Sequence, residues 1–152
     1  MNKLILVFAL SLPLAAAEPA GFAYWSGTEL KAYGKKLAPK MSPQKVATEQ
    51  LGKWGNHSTM MAYREGDGEA EVHEKVADIF VVQAGEGILV VGGTVIGGKS
   101  TGPCEIRGKS IQGGVKKKIG PGDVCHIPAN TPHQTLLAPG SKSISYVVVK
   151  IE

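Results

Sequence analysis

This chain lacks a long apolar run. The most apolar stretch, residues 4–14, is too short to cross a membrane as a helix, and Pro13 inside it disfavours a buried N-terminal helix. The stretch follows the positive charge of Lys3 and precedes three alanines that end at Ala17. This order is typical of a secretory signal peptide. We therefore predict a signal peptide over residues 1–17, a mature protein that is secreted or periplasmic, and no membrane association after cleavage.

A strong charge of one sign is also missing. The chain has 17 Lys and Arg residues and 13 Asp and Glu residues, which gives a formal net charge of +4. Residues 1–17 contain one lysine and no acid, so the predicted mature chain has 17 − 1 = 16 basic against 13 acidic residues, a charge of +3. The excess is small and is spread along the sequence. Composition therefore gives no reason to predict a nucleic-acid partner.

Cysteine is scarce, since the chain has only Cys104 and Cys125. No Cys-x-x-Cys pair and no thiol–histidine nucleophile pattern is present, which disfavours a dithiol redox site and a cysteine nucleophile. An exported protein meets an oxidising compartment, so a disulfide is permitted. The spacing alone does not bring the two Cα atoms within the required distance of about 7 Å. We favour two free, buried thiols.

Glycine is abundant, with 20 residues, and helical patterns are few. Together with frequent turn signals, this composition favours a single all-β domain, which a chain of 152 residues is long enough to form. We place the β domain at residues 43–152 and a lead-in segment at residues 18–42. Within the lead-in segment, a short helix is predicted from a cap at Thr28 to about Leu37.

The lead-in segment also contains an aromatic cluster of Phe22, Tyr24 and Trp25. We expect these side chains to pack on the outside of the β domain. The alternative is that they pack on a second copy of the chain, which would form a homodimer.

Two polar segments carry the side chains of greatest chemical interest. The first contains Glu71, His73 and Asp78, and Gly85 follows them. Glu71 and His73 are two positions apart, so they project from the same face of a strand. Asp78 is an odd number of positions after His73, and it can share that face only if the chain turns between them. We place this turn at residues 75–77.

The second segment contains Gly122, Pro128, Asn130 and His133. Residues 128–132 are rich in turn formers, and His133 would open a new strand after them. If the two segments meet inside a sheet, they bring together two imidazoles and two carboxylates, which are ligands for Fe, Mn and Zn. The sequence therefore predicts a site for one divalent metal ion. Its four ligands would be Glu71, His73, Asp78 and His133.

The spacing of both segments resembles the two motifs of the cupin superfamily, small β-barrels that usually hold one metal ion. The family's first motif is His-x-His, four residues, Glu, six residues and Gly; its second is Gly, five residues, Pro-x-Gly, two residues and His. Here Glu71 stands in place of the first His and Asp78 in place of the Glu. Asn130 replaces the middle Gly, a mild change because asparagine tolerates left-handed backbone. The resemblance implies a single cupin-type β-barrel, also called a double-stranded β-helix or jelly roll.

The resemblance also draws attention to His126, because cupin-like sequences often have a histidine or aromatic residue here that faces the barrel interior. In the predicted strand, His126 alternates with Val124 on one side, and Cys125 and Ile127 take the other. We expect His126 to contact a bound cofactor or substrate, with plain packing as the alternative.

Several functions remain open for such a site. Two histidines and one carboxylate with open positions suit non-haem Fe(II) and dioxygen chemistry, whereas a further oxygen ligand favours Mn or Zn as a Lewis acid. Glu71 is either a metal ligand or a catalytic general base, and its strand parity with His73 favours ligation.

The sequence therefore favours an exported metal-dependent enzyme, an oxygenase or an isomerase/lyase, that acts on a small molecule. A non-catalytic module that binds a small ligand is the alternative, and a barrel used only for subunit association is a third. The alternative to metal binding itself is a barrel whose metal site has been lost, in which Glu71 and Asp78 are only hydrogen-bonded. Fold alone does not choose among them.

Overall fold

The computed structural model describes residues 16–152, so the predicted signal peptide lies almost wholly outside the described residues. Within the described range, no helix is both long enough and apolar enough to cross a membrane.

The lead-in segment contains the predicted helix, α1 (Gly27–Leu37), and a 3₁₀ turn, Ala38–Lys40, follows it. The cap is Ser26 rather than Thr28. The amide of Glu29 donates to Ser26 Oγ at 3.2 Å, and the amide of Ser26 donates to the Glu29 carboxylate at 2.8 Å. This reciprocal capping box satisfies two otherwise unpaired amides at the start of the helix.

Thirteen β-strands follow in the described part of the chain, which confirms the all-β prediction. They are β1 (Val46–Trp54), β2 (His57–Arg64), β3 (Ala70–His73), β4 (Ala77–Gly85), β5 (Gly87–Val91), β6 (Thr94–Ile96), β7 (Lys99–Gly102), β8 (Glu105–Gly108), β9 (Ser110–Gln112), β10 (Val115–Ile119), β11 (Val124–Ile127), β12 (His133–Leu137) and β13 (Ile144–Ile151).

The strands form two large antiparallel sheets and one small ribbon. The five-stranded sheet has the order β1-β2-β13-β4-β11, and the six-stranded sheet has the order β10-β5-β12-β3-β8-β7. Strands β6 and β9 form the separate two-stranded ribbon. Strands that are consecutive in sequence often lie in different sheets, as β3 and β4 do. The chain therefore crosses repeatedly between the five-stranded and the six-stranded sheet.

The main core lies between the two large sheets. Alternate residues of the inner strands point into it, among them Phe80 and Val82 of β4, Leu89 of β5, and Tyr146 and Val148 of β13. A second, smaller core lies under α1, where Leu37 is buried with Met61 and Val147 from the outer face of the five-stranded sheet. The same strand β13 therefore supplies both cores, with even-numbered residues facing inward and Val147 facing the helix.

Positive φ angles explain why glycine or asparagine occupies three positions in the two polar segments. Gly85 has φ +74°, and a Cβ atom there would collide with the carbonyl group of Ser143. Gly122 and Asn130 have φ values of 92° and 59°. The amide of Asn130 donates to the carbonyl oxygen of His73 at 2.7 Å, which joins the two segments directly.

The two cysteines are free, as we favoured. They are half-buried rather than fully buried. Cys125 packs against the main core, and Cys104 lies in the connection before β8.

Candidate metal centre

The register of the six-stranded sheet places three of the predicted ligands together. Glu71 of β3 is paired with His133 of β12 on one side and with Arg107 of β8 on the other. His73, two positions further along β3, is paired with Glu105 of β8. Directly opposite residues in antiparallel strands have neighbouring side chains, so the pairing alone brings these groups into one cluster.

Asp78 reaches the same cluster from the facing sheet. Strand β3 ends at His73 and β4 begins at Ala77, so the chain breaks between them as predicted, over residues 74–76 rather than 75–77, and the break coincides with the change of sheet. Asp78, Phe80 and Val82 are all buried, with relative exposures of 2%, 4% and 1%. Asp78 therefore points into the barrel, as the alternation along β4 predicts.

The donor atoms of the four side chains converge. His73 Nε2 lies 3.5 Å from Glu71 Oε2 and 3.3 Å from Asp78 Oδ2. His133 Nε2 lies 4.0 Å and 3.7 Å from the same two oxygens. A metal ion about 2.0–2.2 Å from each ligand needs donors separated by roughly 3–3.6 Å. The spacing observed here is close to that requirement.

Both imidazoles are oriented by a partner on the far side of the ring. His73 Nδ1 is 2.6 Å from Glu105 Oε1, and His133 Nδ1 is 3.0 Å from the carbonyl oxygen of Thr131. Because these oxygens only accept, each Nδ1 carries the proton and donates it. A hydrogen bond of this kind, from the non-ligating nitrogen to a carboxylate or carbonyl, is the usual outer support of a metal-binding histidine.

His133 Nε2 gives the strongest sign that the centre holds a ligand. This atom is buried and has no hydrogen-bond partner among the described residues. A buried polar atom without a partner is costly, and native proteins rarely leave one. The unpartnered nitrogen points toward Glu71 and Asp78, so the side chains present suit a cation at this position.

Glu71 is held by two arginines. Arg107 Nη1 lies 2.7 Å from Glu71 Oε1, and Arg64 Nη2 lies 3.4 Å from the same oxygen. Burial would raise the pKa of Glu71, but the hydrogen bond with His73 and the positive charges of the arginines outweigh it and lower the pKa to about 2. The carboxylate is therefore ionised at neutral pH and is a weak proton acceptor.

The two histidines differ in their electrostatic surroundings. Burial and the nearby ammonium group of Lys150 would lower the pKa of His73, but the carboxylates of Asp78 and Glu71 outweigh them and raise the pKa to about 9. Burial lowers the pKa of His133 despite a hydrogen bond and nearby carboxylates. For Asp78, burial acts to raise the pKa, while His73 and Lys150 together bring it below its usual value. In the absence of a metal, His73 is thus the group that retains a proton.

Lys150 also enters the centre, and sequence reasoning did not predict it. Its Nζ donates to Asp78 Oδ1 at 2.9 Å and to Oδ2 at 3.1 Å, and it lies 2.9 Å from His73 Nε2. Strand parity was the available signal, because Lys150 shares the inward face of β13 with Tyr146 and Val148. Arg64 could have been found in the same way, since it shares the inward face of β2 with Met60 and Ala62.

A cavity of about 230 Å³ opens beside the centre. Glu71, Asp78 and His133 line it together with three basic side chains, and an apolar wall completes it. The basic residues are Arg64, Arg107 and Lys150, and the wall includes Met60, Phe80, Tyr146 and Val148. A hollow of about 430 Å³ beside Val72 and Cys104 is lined by none of the four predicted ligands.

The four predicted metal ligands are brought together, but the prediction for His126 is wrong. Glu71, His73 and His133 offer donor atoms that all lie within 4.8 Å of one another, and Asp78 adds the contacts described above. His126 is exposed on the outer face of β11 and does not line the cavity. The alternation along β11 was right, but Cys125 is paired with the core residue Phe80 and takes the inward face instead.

No protein-family model matches this chain, and no curated protein matches it in sequence. Comparison with solved structures gives a clear result for the fold. The Cnp3 cupin domain of Schizosaccharomyces pombe superposes with a TM-score of 0.52 at 9% identity, over 75% of this chain and 66% of that one. The protein therefore has the cupin fold.

Two further solved structures are similar at the same level. The DMSP lyase DddQ from Ruegeria pomeroyi DSS-3 has a TM-score of 0.51 and 17% identity, over 71% of this chain and 47% of its own. KdgF from Halomonas sp. has a TM-score of 0.52 and 14% identity, over 71% of this chain and 80% of its own. The chain thus spans about half the length of DddQ. At these identities the likeness concerns the fold and not the chemistry.

Proposed function

We propose that this protein is an exported, metal-dependent cupin enzyme that acts on a small molecule as an oxygenase or an isomerase/lyase. One observation carries the metal-binding part: the buried, unpartnered Nε2 of His133 faces the same two carboxylates as Nε2 of His73. Two imidazoles and one or two carboxylates form a donor set that Fe, Mn and Zn accept.

Glu71, His73 and His133 would hold the metal, with Asp78 as a fourth ligand. A bound ion would polarise a carbonyl or enolate oxygen of the substrate, or support dioxygen chemistry if it is Fe(II). The protein supplies the remaining functions: Glu105 and Thr131 orient the imidazoles, the two arginines orient Glu71, and the apolar wall of the cavity contacts the substrate.

The cavity favours a small substrate with an apolar part. Its volume of about 230 Å³ is below the range of roughly 300–1,000 Å³ usual for drug-sized ligands. Phe80 and Val148 offer apolar contact, while Arg64 and Arg107 offer hydrogen-bond donors. DddQ, named a DMSP lyase, is an example of lyase activity in a protein of similar fold.

A second function, capture of a small ligand without turnover, is favoured by the state of Glu71. Its pKa of about 2 leaves it a poor general base at neutral pH. An enzyme would then need another proton acceptor or a reaction that the metal activates directly.

The metal-binding part is tested by titrating metal-stripped protein with Zn²⁺, Mn²⁺ and, without oxygen, Fe²⁺ in a calorimeter. His133→Gln should lower the affinity at least 100-fold because it removes one imidazole donor. His126→Gln is the matched control, since His126 is exposed and lies outside the cavity. Equal metal affinity in all three proteins would contradict the proposal.

Enzyme and binding module are separated by following the fate of a bound molecule. Metal-loaded protein is screened against small molecules by thermal shift, and each hit is then incubated with the protein while oxygen uptake is recorded. Mass spectrometry identifies the product. Conversion that requires His133 supports an enzyme, whereas hits recovered unchanged support the binding module.

Export is a separate part of the proposal, motivated by the order of charge, apolar stretch and alanines in residues 1–17. Mass spectrometry of the protein produced in a secreting host should show a mature chain that begins near Glu18. A soluble form that retains Met1 would contradict it.

A further inference from the structure

Lys150 occupies the side of His73 that a metal ion needs. Its ammonium group lies 2.9 Å from His73 Nε2 and donates to both carboxylate oxygens of Asp78. Nε2 is the nitrogen left for a ligand, because Nδ1 donates to Glu105. The lysine therefore pairs with Asp78 and lies against the nitrogen of His73 that would hold a metal.

An ammonium group and a metal ion exclude each other at this position. A metal bound to His73 Nε2 would lie about 2.0–2.1 Å from that nitrogen, and Lys150 Nζ is only 2.9 Å from the same atom. The two cations would then be close neighbours in a largely buried place, where like charges repel strongly. Metal binding thus requires Lys150 to leave.

The charges of the centre explain why a lysine would be there. Three carboxylates, those of Glu71, Asp78 and Glu105, meet around His73. Three basic side chains pair with them: Arg64 with Glu71, Arg107 with both Glu71 and Glu105, and Lys150 with Asp78. Asp78 is 2% exposed, so an ionised carboxylate there would be costly without a cation beside it.

The side chain of Lys150 can also reach a second position, nearer the surface. Lys150 stands two residues from Glu152, and its side chain is 29% exposed. Besides the main cavity, it lines a hollow of about 100 Å³ at the surface whose wall includes Glu152. A change of side-chain torsions can therefore carry the ammonium from Asp78 toward solvent without a change in the strand.

We propose that Lys150 is an internal cation that alternates with the metal ion in this centre: its ammonium neutralises Asp78 in the metal-free protein and is displaced when a metal binds. The proposal rests on the proposed metal-binding function. In this arrangement Lys150 stabilises the metal-free barrel. It also weakens metal binding, because the ion must displace the ammonium group before it reaches the four ligands.

The test compares Lys150→Met, which keeps most of the side-chain length and removes the charge, with wild type. Lys118→Met is the matched control, because Lys118 forms an exposed ion pair with Glu86 at 3.0 Å, away from the cavity. Metal-stripped proteins are titrated with Zn²⁺, and the melting temperature is measured with and without the ion.

Lys150→Met should bind Zn²⁺ at least tenfold more tightly than wild type. Its metal-free form should melt at a lower temperature, because Asp78 loses its cation, and Zn²⁺ should raise its melting temperature more than it does for wild type. Lys118→Met should match wild type in all three measurements. If Lys150→Met does not fold without metal, Lys150→Gln, which retains a hydrogen-bond donor near Asp78, should show the same tighter binding.

Two outcomes would overturn the proposal, and they differ. If wild type binds Zn²⁺ and the Lys150 variants bind it equally or less tightly, the lysine does not compete and only this inference fails. If neither wild type nor the variants bind Zn²⁺, Mn²⁺ or Fe²⁺, the proposed metal-dependent function fails, and the exchange of Lys150 with the metal fails with it.

Discussion

Glu71 and Arg107 stand directly opposite each other on β3 and β8, and Arg107 Nη1 lies 2.7 Å from Glu71 Oε1. This contact fixes one carboxylate oxygen and leaves the other, Oε2, facing the two imidazoles. The arginine therefore orients Glu71 as a ligand would need, and by lowering its pKa it weakens Glu71 as a base.

Replacing Glu71 by glutamine tests this assignment. We expect Glu71→Gln to lower Zn²⁺ affinity at least 100-fold, because it removes one of the two anionic donors of the centre and the ion pair between Glu71 and Arg107. Calorimetric titration of metal-stripped protein measures the loss. Glu69→Gln, an exposed position just before the same strand, is the control and should bind as wild type does. Unchanged affinity together with lost turnover would instead make Glu71 the general base.

Glu105 is predicted to act on metal binding through His73. Glu105→Gln weakens the hydrogen bond to His73 Nδ1, which fixes the ring and its tautomer. Loss of such an outer partner lowers metal affinity about 10–100-fold. Glu86→Gln removes the charge of another half-exposed glutamate, away from the cavity, and should leave the affinity unchanged. An affinity for Glu105→Gln within twofold of wild type would show that Glu105 does not position the ring.

The raised pKa of His73 predicts how the metal-free protein responds to pH. Its folded pKa is about 9 against an ordinary value of 6.5, so folding takes up a proton between these values. The stabilisation is complete below pH 6.5 and is lost as pH rises toward 9. The free energy of unfolding, from urea titrations at pH 6.5, 7.5 and 8.5, should fall by up to roughly 1.4 kcal/mol per pH unit.

Two variants isolate the contribution of His73 to that pH dependence. His73→Gln should flatten the slope, and His57→Gln, at an exposed position that begins β2, should retain it. A slope that survives in His73→Gln would assign the titration to another group. Saturating Zn²⁺ should reduce the slope in wild type, because a coordinated imidazole holds no proton at Nε2.

Gly85 is predicted to be required for the turn between β4 and β5. Gly85→Ala introduces a side chain at φ +74° and in collision with the backbone of Ser143. Gly140→Ala is the matched control, since Gly140 has φ +83° but open space around its would-be Cβ. The control should lose about 1–2 kcal/mol of unfolding free energy from backbone strain alone, and Gly85→Ala should lose clearly more. Equal losses would mean that the contact with Ser143 relaxes at no cost.

Much of the fold was predictable from local features of the sequence. The helix and the turn between His73 and Asp78 follow from short-range patterns, because caps, turns and alternation act over a few residues. The barrel itself was predicted from the resemblance of the two polar segments to the cupin motifs. Two of the motif positions, Gly85 and Asn130, have backbone conformations that few residues adopt, which accounts for the residue types found there.

The side that each strand turns inward was harder to predict. Alternation showed that His126 and Cys125 face opposite ways, but not which of them faces the core. That choice depends on the register with β4, where Cys125 lies opposite Phe80. Pairing between distant strands is decided by the whole packing of the sheet, and a slip of one residue would exchange the two faces.

The sequence by itself determined the all-β class, because turn formers and strand alternation act over a few residues, and the resemblance to the cupin motifs identified the four side chains that converge in the barrel. Only the tertiary structure decided which charges surround them. Arg107 and Glu105 reach Glu71 and His73 through the pairing of β8 with β3, and Lys150 reaches Asp78 through the pairing of β13 with β4. These partners lie tens of positions away in sequence. Strand parity gives the face of β13 on which Lys150 lies, but its proximity to Asp78, like that of Arg107 to Glu71, arises only when the strands pair.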